Sequence, residues 1–386
     1  MLTRIEIDGF KSFLDFELDV PPFLALVGPN SSGKSNLLDA LDFVATTARS
    51  GQDALLTAKR GRAHQLFHQA VEGGGASAFE IRLTLLSEYG SELWPIHLDT
   101  IARNPAEPVV EQFGTYGWNA GELDRLPQAV KARCRDEISV APGDEEDEDT
   151  DLVLMDAASA VDWRWYEPDP RAMRAVASAA DRRPLRSDGA NLAAVLGRLH
   201  ETEALDPLVL DLAALIPDVA GLVPYLDVRR QEWSFDLVIG GQGQVSSALL
   251  SDGTLRILGL LAALHDPVHP GVLLIEEIEN GLHPSRLAEL LRRIRRLVTD
   301  LNDPRALLRP LRQVILTTHS PVVVSELYRL QPESLVFLDS AVRVDPERAV
   351  MSRVTVAKPV RAEGEPGTFV SPRQVRRYLS AVETPT

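Results

Sequence analysis

Three short segments of this 386-residue chain carry side chains whose types and spacing could act on a phosphate. The first is Gly28-Pro29-Asn30-Ser31-Ser32-Gly33-Lys34-Ser35, which fits G-x-x-x-x-G-K-[ST]. Glycines at its ends let the backbone curl, so that successive N–H groups converge on an anion at a helix start. Lys34 would place a point charge on the β- and γ-phosphates of a nucleoside triphosphate, and the Ser35 hydroxyl would ligate Mg2+. The second segment is Val272-Leu273-Leu274-Ile275-Glu276-Glu277, an apolar run that ends in adjacent carboxylates. There the first carboxylate supports the metal and the second orients or deprotonates the attacking water. Glu276 is one methylene longer than the aspartate often found at such a strand end, so a water-mediated metal contact is expected. The third segment is Thr317-Thr318-His319-Ser320-Pro321, where a histidine just past a buried strand is placed to sense a γ-phosphate.

The elements that must hold these groups are legible in the hydrophobic pattern. Residues 2–7 and 13–20 alternate as half-buried strands do, and Pro21-Pro22 ends the second run. Phe23-Leu24-Ala25-Leu26-Val27 is continuously apolar, as are Val272–Ile275 and Val314–Leu316, which suits strands covered on both faces. A helix is expected from Asn36, with Leu37, Leu38, Leu41 and Val44 on one side. Farther along, Ser251 is a good N-cap for the apolar run Ile257–Leu264, and Gly253 keeps the backbone open to a phosphate. The glycine-rich stretch 240–244 lies between strand-like runs at 235–239 and 245–249 and reads as a hairpin loop.

Taken in order, Phe10-Lys11-Ser12-Phe13, the segment Gly28 to Asn36, Leu250-Ser251-Asp252-Gly253, Ile275 to Pro284 and Thr317 to Pro321 resemble an ABC-type ATPase head. The likeness is to the SMC/RecF/OLD-like group, often described as an AAA-type ATP-binding domain of ABC lineage. It implies an α/β P-loop NTPase with a mixed sheet, flanking helices and a mainly helical insert. It also implies that two copies close head to tail around two ATP with Mg2+. Residues Asn30, Ser31, Ser32, Gly33, Lys34, Ser35 and Asn36 would then hold one nucleotide. Ser251 and Gly253 of the other copy would contact its γ-phosphate. Lys11 and Ser12 would lie beside the phosphates, Glu276 would support the metal, and Glu277 and His319 would act in hydrolysis. Gln65 is the candidate for a glutamine that joins the metal shell, and Glu279 to His283 would form the D-loop. Its Leu-Ser-Asp-Gly-Thr signature is usual for this subgroup and unlike a transporter's, and the sequence departs from relatives in Ile278, where proline is common.

Domain limits are expected at 1–104 for the N-terminal lobe, 105–230 for an insert, 231–345 for the C-terminal lobe and 346–386 for a tail packed on the head. The insert shows no heptad array, so coiled-coil arms are not expected. It carries an acidic run from Asp144 to Asp151, read as a solvated segment, and helices near 191–200 and 205–216. OLD nucleases of this group continue into a TOPRIM domain, and a separate nuclease or effector partner is a hypothesis that the resemblance suggests, not one read from the residues. Net charge is −16, which argues against a surface coated for nucleic acid. The helix 286–297 nevertheless gathers Arg292, Arg293, Arg295 and Arg296 near its C-terminal end. Those cations suit the helix dipole, and the functional alternative is a contact with the DNA backbone. His64 with His68, and His265 with His269, lack further ligands for zinc and read as structural. A single cysteine, no secretory signal and no long apolar stretch point to a cytoplasmic protein without a membrane anchor. The function expected is ATP hydrolysis in DNA repair or in defence against foreign DNA. The alternative is a nucleotide-gated scaffold or clamp that regulates a separate effector, with only slow hydrolysis.

Overall fold

The run Phe23–Val27 forms the expected strand, and all five of its residues are buried. It sits between two parallel neighbours, Gln313–Thr318 and Leu335–Asp345, which explains why it reads as apolar throughout. These strands come from a computed structural model that describes residues 1–55, 62–70, 74–89, 92–118, 121–134, 161, 163–202, 204–269, 271–345 and 350–383. The chain divides into two units, Met1–Trp163 together with Thr299–Thr386, and Arg164–Val298.

In the first unit, Leu335–Asp345 folds back on Val350–Pro359 as a long antiparallel hairpin. The segment expected as a tail therefore supplies a strand, followed by the helix Pro372–Glu383, whose Tyr378 ring meets Phe337 at 5.8 Å. A second sheet runs in the order Phe16–Asp19, Leu2–Asp8, Ala78–Tyr89, Glu92–Arg103, Val109–Tyr116, with every neighbour antiparallel. Alternation buries Ile5 with Ile7, and Phe16 with Leu18, as the period of two requires, while Leu2 is buried out of that phase across a register shift between Leu2 and Arg4. The helix Lys34–Ser50 buries Leu37, Leu38, Leu41 and Val44, as predicted. Its Phe43 joins Phe79 of the sheet and Phe10 in an aromatic cluster, with ring centroids 5.1 to 6.1 Å apart. That cluster sets Phe10, and so Lys11 and Ser12 beside it, against the helix that follows the P-loop.

In the second unit, Arg164–Tyr166 pairs in parallel with Val272–Ile275, the strand that leads to Glu276. An antiparallel sheet is built on Glu232–Ile239, which pairs with Val219–Asp227, Gly243–Ser246 and Ala177–Ser178. The helices Leu192–Glu201 and Leu205–Leu215 stand where the sequence places them, and Leu205–Leu215 packs on the helix Asp252–His265.

Two expectations are reshaped. The stretch 105–230 does not stand apart as one insert. Val109–Tyr116 completes the N-terminal sheet, while residues from 164 onward pair and pack with the second unit. The hairpin around 240–244 forms, but its second strand ends at Ser246 rather than Leu249. Residues 247–249 tighten into a 3-10 turn because Ser247 Oγ donates to Arg174 O at 3.1 Å, which draws the chain off the ladder. The acidic run 144–151 lies outside the described residues. Among the described residues, no helix is long and apolar enough to cross a membrane.

Candidate functional site

The loop after Phe23–Val27 has the backbone of an anion cradle. Ser31 and Gly33 both adopt positive φ, 65° and 100°, and helix Lys34–Ser50 starts directly after Gly33. No side chain caps that helix start and its first turn holds no acidic residue, so its positive end is left for an anion. Lys34 is buried and folds across the loop, its Nζ donating to Gly28 O at 2.7 Å and to Pro29 O at 2.9 Å. Asn30 and Ser31 are exposed at the loop tip, and Ser35 and Asn36 are half-buried in the first turn. The Ser32 side chain is 2% exposed, and its Oγ has no hydrogen-bond partner among the described residues. A buried hydroxyl in that state normally marks a missing acceptor or donor. Uncapped amides, an ammonium and hydroxyls fit a triphosphate with its Mg2+.

Both end glycines are sterically required. A Cβ on Gly28 would come within 2.5 Å of Leu338 O, and one on Gly33 within 2.1 Å of Thr355 Oγ1. Thr355 belongs to the hairpin strand Val350–Pro359 and forms part of a polar network beside the loop. Its Oγ1 lies 3.2 Å from Ser32 O and 2.8 Å from Ser12 Oγ, and Asn36 Nδ2 donates to Ser12 Oγ at 2.9 Å. Lys11 has φ 46° and pairs with Asp39 Oδ2 at 2.7 Å, both side chains being largely buried. The pairing ties Lys11 to the same helix that begins at the cradle. The segment carrying Gln65 is strapped to Lys11 as well, because Lys11 N donates to Leu66 O at 2.8 Å and His68 Nδ1 meets Lys11 O at 2.6 Å. Gln65 itself is exposed, and its Oε1 accepts from Arg62 N at 2.8 Å, closing the turn Ala63–Leu66. A metal-shell role would have to release that bond. His319 is exposed and follows Thr318, which stands opposite Val27 in parallel register, so it leaves its strand at the same end as Gly28.

The second unit carries the other predicted groups. Ser251 caps the helix Asp252–His265, with its Oγ accepting from Thr254 N at 3.2 Å, and is itself exposed. A Cβ on Gly253 would approach Gly281 O to 3.1 Å, and one on Gly281 would meet Arg256 Cδ at 3.2 Å. The signature and D-loop of this unit are therefore in mutual contact. Arg174 fastens the approach to the helix, its Nη2 reaching Leu250 O and Asp252 Oδ1 at 2.7 Å each. Glu276 and Glu277 follow Val272–Ile275 at half-buried positions. Glu277 takes φ 49°, an uncommon conformation for a side-chain-bearing residue, and its Oε2 accepts from Asn280 Nδ2 at 2.8 Å. Asn280 N closes the turn on Glu277 O at 2.8 Å. Ile278, where proline is common, is buried.

The arginine helix, Pro284–Leu297, is partly spoken for. Arg292 and Arg293 bond Glu289 at 2.9 and 2.8 Å, and Arg293 also reaches Asp211 at 2.8 Å. His265 Nε2 meets the other Asp211 oxygen at 2.9 Å. Burial alone would raise the Asp211 pKa, but hydrogen bonds from His265 and Arg293 outweigh it and hold the carboxyl below its usual range. Glu289 is lowered in the same way, its burial overcome by Arg293 and Arg292. Arg295 and Arg296 are the exposed members of the set. Among the described residues, no group of three or more His, Cys, Asp or Glu could hold a metal ion.

Sequence reading missed Thr355, Asp39 and Arg174, and it placed Asn280 in the D-loop without its bond to Glu277. Thr355 gives no signal, being a threonine in an ordinary β-branched strand more than 300 residues from the loop it touches. Asp39 had one: with Asn36 it places two polar groups three residues apart in an apolar helix.

Two family models match the chain: "AAA domain, putative AbiEii toxin, Type IV TA system" over residues 124–325, just over half of it, and "AAA ATPase domain" over residues 1–88. A 44-residue stretch is 57% identical to the chromosome partition protein Smc of Methanocaldococcus jannaschii, covering 11% of this chain and 4% of that protein. The structural maintenance of chromosomes protein 1 of Arabidopsis thaliana is 31% identical over 133 residues, 27% of this chain and 11% of its own length. An OLD nuclease of Thermus scotoductus is 41% identical over 44 residues, 11% of this chain and 8% of its own length. The chain thus matches only a small part of each of these relatives. Among solved structures, an SMC head bound to the C-terminal winged-helix domain of ScpA superposes with TM-score 0.55 at 14% identity, covering 92% of this chain and 98% of the other. The Pyrococcus furiosus SMC head with an extended coiled coil, bound to the C-terminal domain of ScpA, gives TM-score 0.52 at 12% identity over the whole of both chains. At such identities the likeness speaks to the fold.

Proposed function

The chain belongs to the AAA-domain family whose model covers residues 124–325, and it has the fold of an ABC-type, SMC/OLD-like ATPase head; from that premise we propose that it binds ATP with Mg2+ and hydrolyses it. The observation that carries this reading is the cradle at Gly28–Ser35, with its positive-φ turn, uncapped helix start and buried Lys34.

In this reading, Gly33 and the first-turn amides bind the phosphates, and Asn30, Ser31, Ser32 and Asn36 line the nucleotide. Lys34 exchanges its carbonyl partners for phosphate oxygens, which keeps a desolvated ammonium paired throughout. Ser35 and Glu276 hold Mg2+, with Gln65 as a further candidate; bound there, the metal would supply charge neutralisation on the phosphates. Glu277 orients the attacking water, and its turn with Asn280 fixes where that carboxylate can point. His319 contacts the γ-phosphate. Lys11 and Ser12 steady the loop through Asp39 and Asn36. Ser251 and Gly253, exposed and half-buried on their helix start, serve the nucleotide of a second copy. The chain is then a homodimer closed around two ATP, acting in the cytoplasm in DNA repair or in defence against foreign DNA. Any contact with a DNA backbone falls to the exposed members of the arginine set, Arg295 and Arg296.

A second reading, a nucleotide-gated scaffold for a separate nuclease or effector, is favoured by one observation. Glu277 already accepts from Asn280, and this bond competes with water positioning. Glu277→Gln tests both. In the hydrolase reading, ATP turnover falls by roughly two orders of magnitude or more while ATP-dependent dimerisation, followed by light scattering, becomes persistent. Turnover that is slow in the wild type and unchanged in the variant selects the scaffold.

A further inference from the structure

Thr355 is 4% exposed, and its place in the polar network beside the cradle allows every proton to be assigned. Ser32 O can only accept, so the 3.2 Å contact with Thr355 Oγ1 uses the threonine's one proton. Ser12 Oγ, 2.8 Å away, must then donate to Thr355, and Asn36 Nδ2 donates to Ser12. The Thr355 backbone N–H also bonds Ser12 O at 2.7 Å, so the threonine cannot drift from this position. The chain of donors runs one way, from the P-loop helix through Ser12 and Thr355 to the Ser32 carbonyl.

That carbonyl belongs to the peptide whose N–H is Gly33's. In a trans peptide the two groups point in opposite directions. A bond that holds Ser32 O on the Thr355 side therefore holds the Gly33 N–H on the other side. The peptide would not stay so by itself, because glycine accepts many backbone conformations and Gly33 already sits at φ 100°. Rotated, it would turn a carbonyl oxygen toward an incoming phosphate in place of a donor.

We propose that Thr355 is a positioning residue of the nucleotide site: its hydroxyl fixes the Ser32–Gly33 peptide so that the Gly33 N–H is presented to phosphate. The assignment rests on the nucleotide reading above. It gives the C-terminal hairpin a part in phosphate recognition, and it explains why Gly33 can carry no side chain on the Thr355 face.

The test compares wild type, Thr355→Val and Thr355→Ser by calorimetric titration with ATP and with inorganic triphosphate, each with Mg2+, alongside urea unfolding. Valine keeps the shape and removes the hydroxyl, whereas serine keeps the hydroxyl. The expected result is a loss of affinity of roughly 3- to 10-fold for both ligands in the valine variant, the size of one hydrogen bond, with the serine variant within about 2-fold of wild type. Equal loss for ATP and for triphosphate places the effect on the phosphates. Valine binding both ligands as tightly as wild type, with only a lowered urea midpoint, overturns the proposal. So does a serine variant as weak as the valine one. If the valine variant does not fold, Thr355→Ala against Thr355→Ser applies the same criterion. A wild-type protein that binds neither ligand refutes the nucleotide reading itself, which is a different outcome from either.

Discussion

Replacing Gly33 by alanine probes the cradle through its geometry. Two costs can be worked from the structure. Gly33 has φ 100°, where an L side chain is strained by about 1–2 kcal/mol. The added Cβ would stand 2.1 Å from Thr355 Oγ1 and 2.7 Å from Thr355 Cγ2, an overlap that costs about 1–3 kcal/mol more in a packed site. Gly33→Ala is therefore expected to destabilise the protein by about 2–5 kcal/mol, read from urea midpoints at constant m. The two costs separate in a double-mutant cycle with Thr355→Ala. That partner loses a hydroxyl bonded to Ser32 and Ser12, for about 0.5–1.5 kcal/mol by itself. It also removes the clashing Oγ1 and Cγ2, so the double variant should be more stable than additivity predicts by about 1 kcal/mol or more. The backbone strain remains in both backgrounds, as does the 2.9 Å approach to the Cβ of residue 355, so the cycle reads only the part of the clash due to Oγ1 and Cγ2. Additive effects within ~0.5 kcal/mol would refute the packing of Thr355 on Gly33.

Two further predictions concern the second unit. Arg198 and Asp266 form a buried pair, with Nη2 to Oδ2 at 2.5 Å and side chains 7% and 0% exposed, at the C-terminal end of the signature helix. Arg198→Met strands a buried carboxylate and should cost about 3–5 kcal/mol by chemical denaturation, and a loss under 1 kcal/mol would contradict the pairing. Asp211 is held below its usual pKa by His265 and Arg293, so the folded state binds its proton less readily than the unfolded chain. The stabilisation is complete above the unfolded value of about 3.9 and disappears as pH falls through the lower folded value. Asp211→Asn should thus lower the thermal midpoint at pH 7, and the drop should shrink steadily as pH falls below about 3.9; a drop that stays the same at every pH would speak against an ionic role.

The sequence exposes this fold where composition and burial coincide. Phe23–Val27, Val272–Ile275 and the centre of Gln313–Thr318, Val314 to Leu316, are covered on both faces, and such strands read as apolar runs. Helix starts are less sharply readable: Ser251 caps as its hydroxyl allows, but the helix expected from Asn36 begins two residues earlier, at Lys34. What stayed hidden depends on long-range packing. Val109–Tyr116 joins the N-terminal sheet by pairing with Glu92–Arg103, and nothing local to residue 105 marks a boundary there. Val350–Pro359 looks like a tail until its hairpin with Leu335–Asp345 sets Thr355 against the P-loop. Gln65 matches by residue type, but the 3-10 turn that contains it uses its side-chain carbonyl locally. The apolar face and the cations of the arginine helix are legible in the sequence, whereas the carboxylate of Asp211 comes from another helix and is not.

If the loop Gly28–Ser35 binds ATP through Lys34, calorimetric titration of the wild type and of Lys34→Ala with ATP and Mg2+ will separate the two proteins. Saturable binding is expected for the wild type and a loss of at least about 100-fold for the variant, which lacks a charge-assisted contact worth about 1.5–3 kcal/mol with each phosphate oxygen it serves. Equal affinity in the two proteins, with both folded, would contradict binding through Lys34.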